Sequence, residues 1–328
     1  MQTLFDEEKK GNILSGGLGL MARNKRYIFW FWILNLTLAE FGTAAFRRSA
    51  HALLDHSLYA AGLVHGFDAG VFGELLAHPR FGQMAAMTTP ALYFSLLFFL
   101  ATALFLPGVF AGYASTYRLP REDFFRACGR NLWRYIRILI IAGIVMGVLA
   151  GILFAINGAI AKKAGESTNE VLPFGLRMTG LFIIFLIMTT LRIWFDLAEA
   201  DTVLNDQRAV RKSIAAGFRH TFRSLGRLLL SYVFITIIAA AILIAGILIW
   251  NQYVPAQGIV RAFVIAQITL FMLLIPRFWQ RGVAVSYWQQ KMLAPVVAVV
   301  PVAPEPTPVA PVEPIPSPVT PSSPPSVG

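Results

Sequence analysis

The side chains able to do chemistry in this sequence sit in a few places, and each raises a different question. Glu40 lies about two-thirds along an apolar run, with Asn35 and Thr37 close by. A carboxylate at mid-bilayer costs ~3 kcal/mol or more unless it is paired. It therefore reads either as a proton- or cation-coupling group or as a tether to Arg261 or Arg177, which fall at similar depth. Arg192, Asp196 and Glu199 follow one another at spacings of four and three near the end of another apolar run, with Asp201 beyond. Opposite charges four apart form an intrahelical pair. The carboxylates left over would reach arginines of a neighbouring surface helix and set its angle, or would act together as a catalytic pair.

Four of the five histidines, His51, His56, His65 and His78, share one stretch with Asp55, Asp68 and Glu74. Imidazole and carboxylate suit zinc, but His51 and His56 are five apart, off a common helical face, and no H-E-x-x-H spacing occurs. No metal site, cofactor site or catalytic residue is assigned. Neither a G-x-S-x-G elbow nor a G-x-x-x-x-G-K-[ST] phosphate loop is present, so nothing joins a nucleophile, a base and a charge stabiliser. Gly17, Gly19 and Ala22 match G-x-G-x-x-A. No strand precedes them and an apolar run follows, so the dinucleotide fingerprint is rejected in favour of a flexible or interfacial arm.

The strongest pattern is electrostatic. Between residues 121 and 137, Arg126, Arg130, Arg134 and Arg137 share one helical arc, with Phe125, Cys128, Leu132, Tyr135 and Ile136 opposite. Between 211 and 227, Lys212, Arg219, Arg223 and Arg227 line one face, and Ile214, Phe218, Phe222 and Leu225 the other. Each stretch runs into a long apolar segment, so each reads as a basic amphipathic helix at a membrane surface. Their arginines (Arg126, Arg130, Arg134, Arg137, Arg219, Arg223 and Arg227) are the candidate headgroup-binding residues.

Composition sets the frame for these groups. Charged residues make up only 14% of the chain against 56% hydrophobic, where a soluble domain carries about a quarter charged. The net charge of +11 would suit nucleic acid, but apolar runs of spanning length point it at anionic lipid headgroups instead. With one cysteine, Cys128, no intramolecular disulfide or thiolate cluster can form.

Six runs approach the ~20 residues a bilayer requires: 27–46, 91–111 (expected to break at Pro107), 138–160, 178–195, 228–250 and 262–279. The first opens with Tyr27, Trp30 and Trp32, an interfacial aromatic band. With both termini inside, twenty lysines and arginines fall on the inner side and seven on the outer, which orients the chain with N- and C-termini cytoplasmic. The fold expected is all-α: a polytopic six-helix membrane domain over 27–285, after a cytoplasmic arm at 1–26. The outer loop 47–89 reads as two short helices, with Asp68 placed to cap the second. Residues 286–328 read as a disordered Pro/Ala/Val-rich cytoplasmic tail, with polyproline-II character and scattered P-x-x-P spacings.

An offset of 90 residues lays Arg137 on Arg227, Cys128 on Phe218 and Gly151 on Ala241, which reads as an internal repeat of span, basic helix and span. Gly143, Gly147 and Gly151 form a repeated G-x-x-x-G that allows close helix approach in lipid. The expectation is packing against the fifth span through Ala241 and Ala245, with a dimer seam as the other reading.

Two stretches carry a resemblance. HSLYAAGLVHGFDAGVFGELLAHPR and FLPGVFAGYASTYRLPREDFFRACGRNLWRYIRIL resemble uncharacterised bacterial integral membrane proteins of about six helices. The order of span, arginine-bearing helix and span is similar to the membrane domain attached to some glycerophosphodiester phosphodiesterases. The resemblance covers roughly residues 25–285 and implies a bacterial inner-membrane location. The phosphodiesterase activity is not implied, because no catalytic domain is present in these residues. The function expected is non-enzymatic: engagement of anionic membrane lipid, or of a protein partner, through the basic face or the Pro-rich tail, without nucleic acid. A transporter or permease subunit is the alternative, with Glu40, Arg192, Asp196 and Glu199 as its intramembrane polar candidates.

Overall fold

The computed structural model describes residues 12–54, 70, 73, 84–166, 171–254 and 258–292. Among them every regular element is helical: α1 (Ile13–Arg23), α2 (Arg26–Leu54), α3 (Met84–Ala114), α4 (Arg121–Ala164), α5 (Val171–Leu204), α6 (Val210–Arg223), α7 (Leu225–Tyr253) and α8 (Ile259–Tyr287). A five-residue π-helical turn, Trp288–Met292, closes α8. Helical structure thus runs past residue 286, where the tail was expected to begin. His56, His65, His78, Asp55, Asp68, Glu74, most of the outer loop and residues 293–328 lie outside the described residues, while His51 falls in the last turn of α2.

Helices α3, α4, α5, α7 and α8 are long and apolar enough to cross a membrane, so the chain is an all-α, multi-pass membrane protein. Helix α2 is 29 residues long but carries Asn35, Thr37 and Glu40, and it is not among those five. The apolar surface expected of lipid-facing helices is plain in Ile144, Leu230 and Val260, which are 61%, 73% and 75% exposed.

Local signals explain several boundaries. Asn12 caps α1, its side-chain oxygen accepting from the Leu14 amide at 3.2 Å. Helix α4 opens after Pro120 with Glu122 and Asp123 in its first turn and closes with Lys162 and Lys163 in its last, both complementing the helix dipole. Helix α3 continues through Pro107 without the expected break.

The first basic stretch is not a separate surface helix. Residues 121–137 are the opening turns of α4, an unbroken 44-residue helix about 66 Å long at 1.5 Å per residue. The second basic stretch is separate, but it ends at Arg223, with Ser224 as its C-cap. Leu225 and Arg227 belong to α7.

Buried side chains concentrate at the end of the bundle where these basic stretches lie. There Tyr27 stacks on Phe124 with ring centroids 5.2 Å apart, and Tyr113, Phe110, Tyr135, Tyr232 and Phe278 are almost wholly enclosed. Arg23 donates to the carbonyls of Tyr113 and Ser115, and Arg26 to that of Leu119, tying the α1–α2 junction to the turn after α3.

The glycine stripe of α4 does not pack as expected. A methyl group at Gly143, Gly147 or Gly151 would meet nothing within 4 Å, so these residues do not contact Ala241 or Ala245. Close approach occurs instead where α1 meets α8. A methyl at Gly17 would lie 2.5 Å from the Val283 nitrogen, and one at Gly282 would run into the Gly17 carbonyl oxygen. Residues 13–23 are therefore a docked helix and not a loose arm.

Candidate functional site

The seven candidate headgroup-binding arginines gather at the densely packed end. On α4 the residues facing the protein are Phe124, Cys128, Asn131, Tyr135, Ile138 and Ala142, spaced four, three, four, three, four, the seam of a helix against helices. Phe125, placed on the apolar arc by spacing, is 56% exposed, and its neighbour Phe124 is buried in its stead. Arg126, Arg130 and Arg137 project outward on the opposite arc, while Arg134 is four-fifths covered. The guanidinium of Arg137 lies 5.2 Å from the centre of the Trp133 ring, and that ring is itself exposed.

Arg134 has a partner that spacing did not suggest. Its Nη1 lies 2.5 Å from Asp206 Oδ1, and Arg130 Nε lies 3.9 Å from the same oxygen. Asp206 sits in the turn between α5 and α6 with φ 49°, in the left-handed region that Asp enters more readily than most residues. The hydrogen bond from Arg134, with the charges of Arg130 and Arg208, holds its carboxyl below the usual range despite slight desolvation.

Helix α6 presents three faces. Ser213, Gly217 and Thr221 are buried, and a methyl at Gly217 would meet the Trp194 carbonyl oxygen at 2.8 Å and the Ala198 nitrogen at 3.0 Å, so this narrow face fits against α5. Arg219 and Arg223 are exposed. Phe218 and Phe222, ring centroids 4.5 Å apart, are 46% and 52% exposed. An aromatic face left uncovered beside a cationic one suits a helix at a lipid interface. His220, partly enclosed and flanked by Arg219 and Arg223, has its imidazole pushed below the usual value, desolvation being the larger cause.

Beneath the basic surface lies a buried polar layer. Tyr135 of α4 donates its hydroxyl to Glu199 Oε2 at 2.5 Å. The Tyr232 hydroxyl of α7 lies 2.9 Å from Asp196 Oδ2 and 3.1 Å from the Gln280 carbonyl of α8. Asp196 also meets Arg192 Nε at 3.8 Å, the expected intrahelical pair. The expected reach of Glu199 to an arginine of a surface helix is replaced by this phenol, because α4 presents Tyr135 rather than an arginine inward. Asp201 accepts from the Asn205 side chain at 2.6 Å. The layer joins α4, α5, α7 and α8 by hydrogen bonds between enclosed groups, the arrangement buried carboxylates require. Sequence reasoning saw Tyr135 only as apolar surface and passed over Tyr232. The clue was a tyrosine five residues past an arginine at the mouth of each apolar run: Tyr135 after Arg130 and Tyr232 after Arg227.

Glu40 lies apart from all of this. Its Oε1 is 3.0 Å from Arg47 Nη1 on its own helix, both side chains 55% exposed. The predicted tether to Arg261 or Arg177 is not made, because Arg47 stands on the same helical face two turns on. Cys128 is 1% exposed with its sulfur 3.8 Å from the Phe105 carbonyl, so its burial alone would keep an aqueous thiol reagent out.

A comparison of the chain with protein-family models, with curated proteins and with solved structures finds no match.

Proposed function

We propose that this chain is a non-enzymatic, six-span protein of the bacterial inner membrane that engages anionic lipid, or a protein partner, through its basic end. In this reading α2 is the sixth span, the basic end faces the cytoplasm with both termini, and the resemblance to six-helix bacterial membrane proteins reflects descent.

One observation carries it. Arg126, Arg130, Arg137, Arg219, Arg223 and Arg227 are all exposed at the same end of the bundle, next to the uncovered rings of Trp133, Phe218 and Phe222. Each such cation near an anionic surface contributes about 1 kcal/mol before screening. The test is native mass spectrometry of the full chain with Arg126, Arg219, Arg223 and Arg227 changed together to Gln. The number of phosphatidylglycerol molecules retained at low salt should fall several-fold, and an unchanged number overturns the reading.

A transport role is the second reading, supported by a groove of about 280 Å³ between α2 and α3 in which Asn35, Thr43 and Ser95 stand among Leu38, Ala39, Phe94 and Phe98. It requires Glu40→Gln to abolish a flux in proteoliposomes with the fold intact.

A further inference from the structure

The geometry points to a discrete seat for one anionic glycerophospholipid, formed where α4 enters its apolar run and α6 begins. This rests on the lipid-engaging reading above and narrows it from a charged surface to a site. A groove of about 440 Å³ is lined by Arg137, Ile140 and Ile141 of α4 and by residues 208–211 at the start of α6, a volume within the ~300–1,000 Å³ range of ligand clefts.

Three observations make the groove fit a phospholipid. The first is depth. After Arg137, α4 carries no charged side chain for the next 24 residues, until Lys162. That run measures about 36 Å, enough to span a ~30 Å hydrocarbon core, so Arg137 marks a headgroup level. The second is charge. Arg137, Arg208 and Arg211 are exposed and make no ion pair among the described residues. The acid whose titration Arg208 influences, Asp206, is already held by Arg134 and Arg130. Ala209, the N-cap of α6, has no side chain to cap the helix, so the positive end of the α6 dipole adds to the three guanidinium groups. The third is the apolar floor. Ile140 and Ile141 lead directly to Ile144 and Val148, which are 61% and 59% exposed, along the outer face of α4. A free phosphate would have no use for that path, whereas acyl chains lie along it.

The groove is held open by packing. Val210 is buried in a small cluster with Ile138, Ala142 and Phe195, which fixes the first turn of α6 against α4. The α5–α6 turn is clamped by Arg134 through Asp206, so Arg208 is held close to Arg137.

The test uses the full chain, delipidated in mild detergent and titrated with phosphatidylglycerol, reading the first bound lipid by native mass spectrometry. Arg137→Gln, Arg208→Gln and Arg211→Gln combined should weaken that first lipid at least about tenfold, since each guanidinium near an anion contributes roughly fivefold. Ile141→Trp keeps every charge and fills the groove; it should also weaken the first lipid, and it reads the site even if the triple variant folds poorly. Retention of the first lipid by both variants at wild-type affinity overturns the seat. If only the Arg126, Arg219, Arg223 and Arg227 variant loses lipid, the seat falls and the diffuse reading stands. If no variant loses lipid, both fall. Inorganic phosphate at millimolar concentration should not displace the first lipid, and displacement would assign the groove to free phosphate and overturn the lipid.

Discussion

Trp194 and Trp279 make the same hydrogen bond in two parts of the molecule. The Trp194 indole N–H donates to the Ile214 carbonyl of α6 at 2.7 Å, and that of Trp279 donates to the Leu14 carbonyl of α1 at 2.9 Å. The correspondence extends further: Gly217 abuts the nitrogen of Ala198, and Gly17 abuts that of Val283. An offset of 85 residues carries Trp194 to Trp279 and Ala198 to Val283, and one of 200 carries Leu14 to Ile214 and Gly17 to Gly217. Helix α1 thus sits on α8 as α6 sits on α5. The offset of 90 residues read from the sequence aligns none of these pairs.

That geometry predicts the response to small substitutions. Gly17→Ala places a methyl against backbone, which cannot swing aside, and should cost about 1–3 kcal/mol. Gly143→Ala enters open space and should be neutral or slightly stabilising, since alanine favours helix by up to about 1 kcal/mol. Thermal unfolding in detergent compares the two, and equal effects would contradict the docking of α1.

Asp206 separates backbone from charge. Asp206→Gly relieves the positive φ but loses the ion pair, Asp206→Asn keeps a tolerant side chain without charge, and Asp206→Ala loses both. Alanine should be the least stable by about 1 kcal/mol relative to glycine. If all three unfold alike, the left-handed conformation carries no cost.

Two groups outside the spans set a pH dependence of opposite chemistry and the same slope. The Asp206 carboxyl is depressed by Arg134, so its contribution is present above the ordinary carboxylate value near 4 and is lost as pH falls through the lower folded value. The His220 imidazole is depressed by burial, so the folded state resists protonation and stability falls as pH drops through about 6.5. His220→Gln should flatten the melting temperature between about pH 5 and 7 while leaving the loss at lower pH. A slope that survives the substitution would assign it elsewhere.

Tyr135 and Glu199 should behave as one unit. Tyr135→Phe leaves an enclosed carboxyl group without its hydrogen-bond partner, at about 1–3 kcal/mol, and the double change with Glu199→Gln should cost less than the two added. A double-mutant cycle reads the coupling, and additivity within about 0.5 kcal/mol would mean the contact is incidental.

Hydropathy and charge along the chain are enough to read an all-α, multi-pass membrane protein, five of its apolar helices and the gathering of arginines beside them, because transfer to lipid and charge placement depend on residues counted in order; the count of six spans goes beyond the five helices that qualify. Arg192 and Asp196 were legible as a pair for the same reason, since their spacing is local. The folded chain settles what spacing leaves open: Phe124 and not Phe125 turns inward, Glu40 takes Arg47, Glu199 takes Tyr135, and Gly17 is pressed against α8 while Gly143 stands open. In a membrane both the buried and the lipid-facing sides of a helix are apolar, so hydropathy does not distinguish them. The choice falls to steric fit and hydrogen-bond partners supplied by helices distant in sequence.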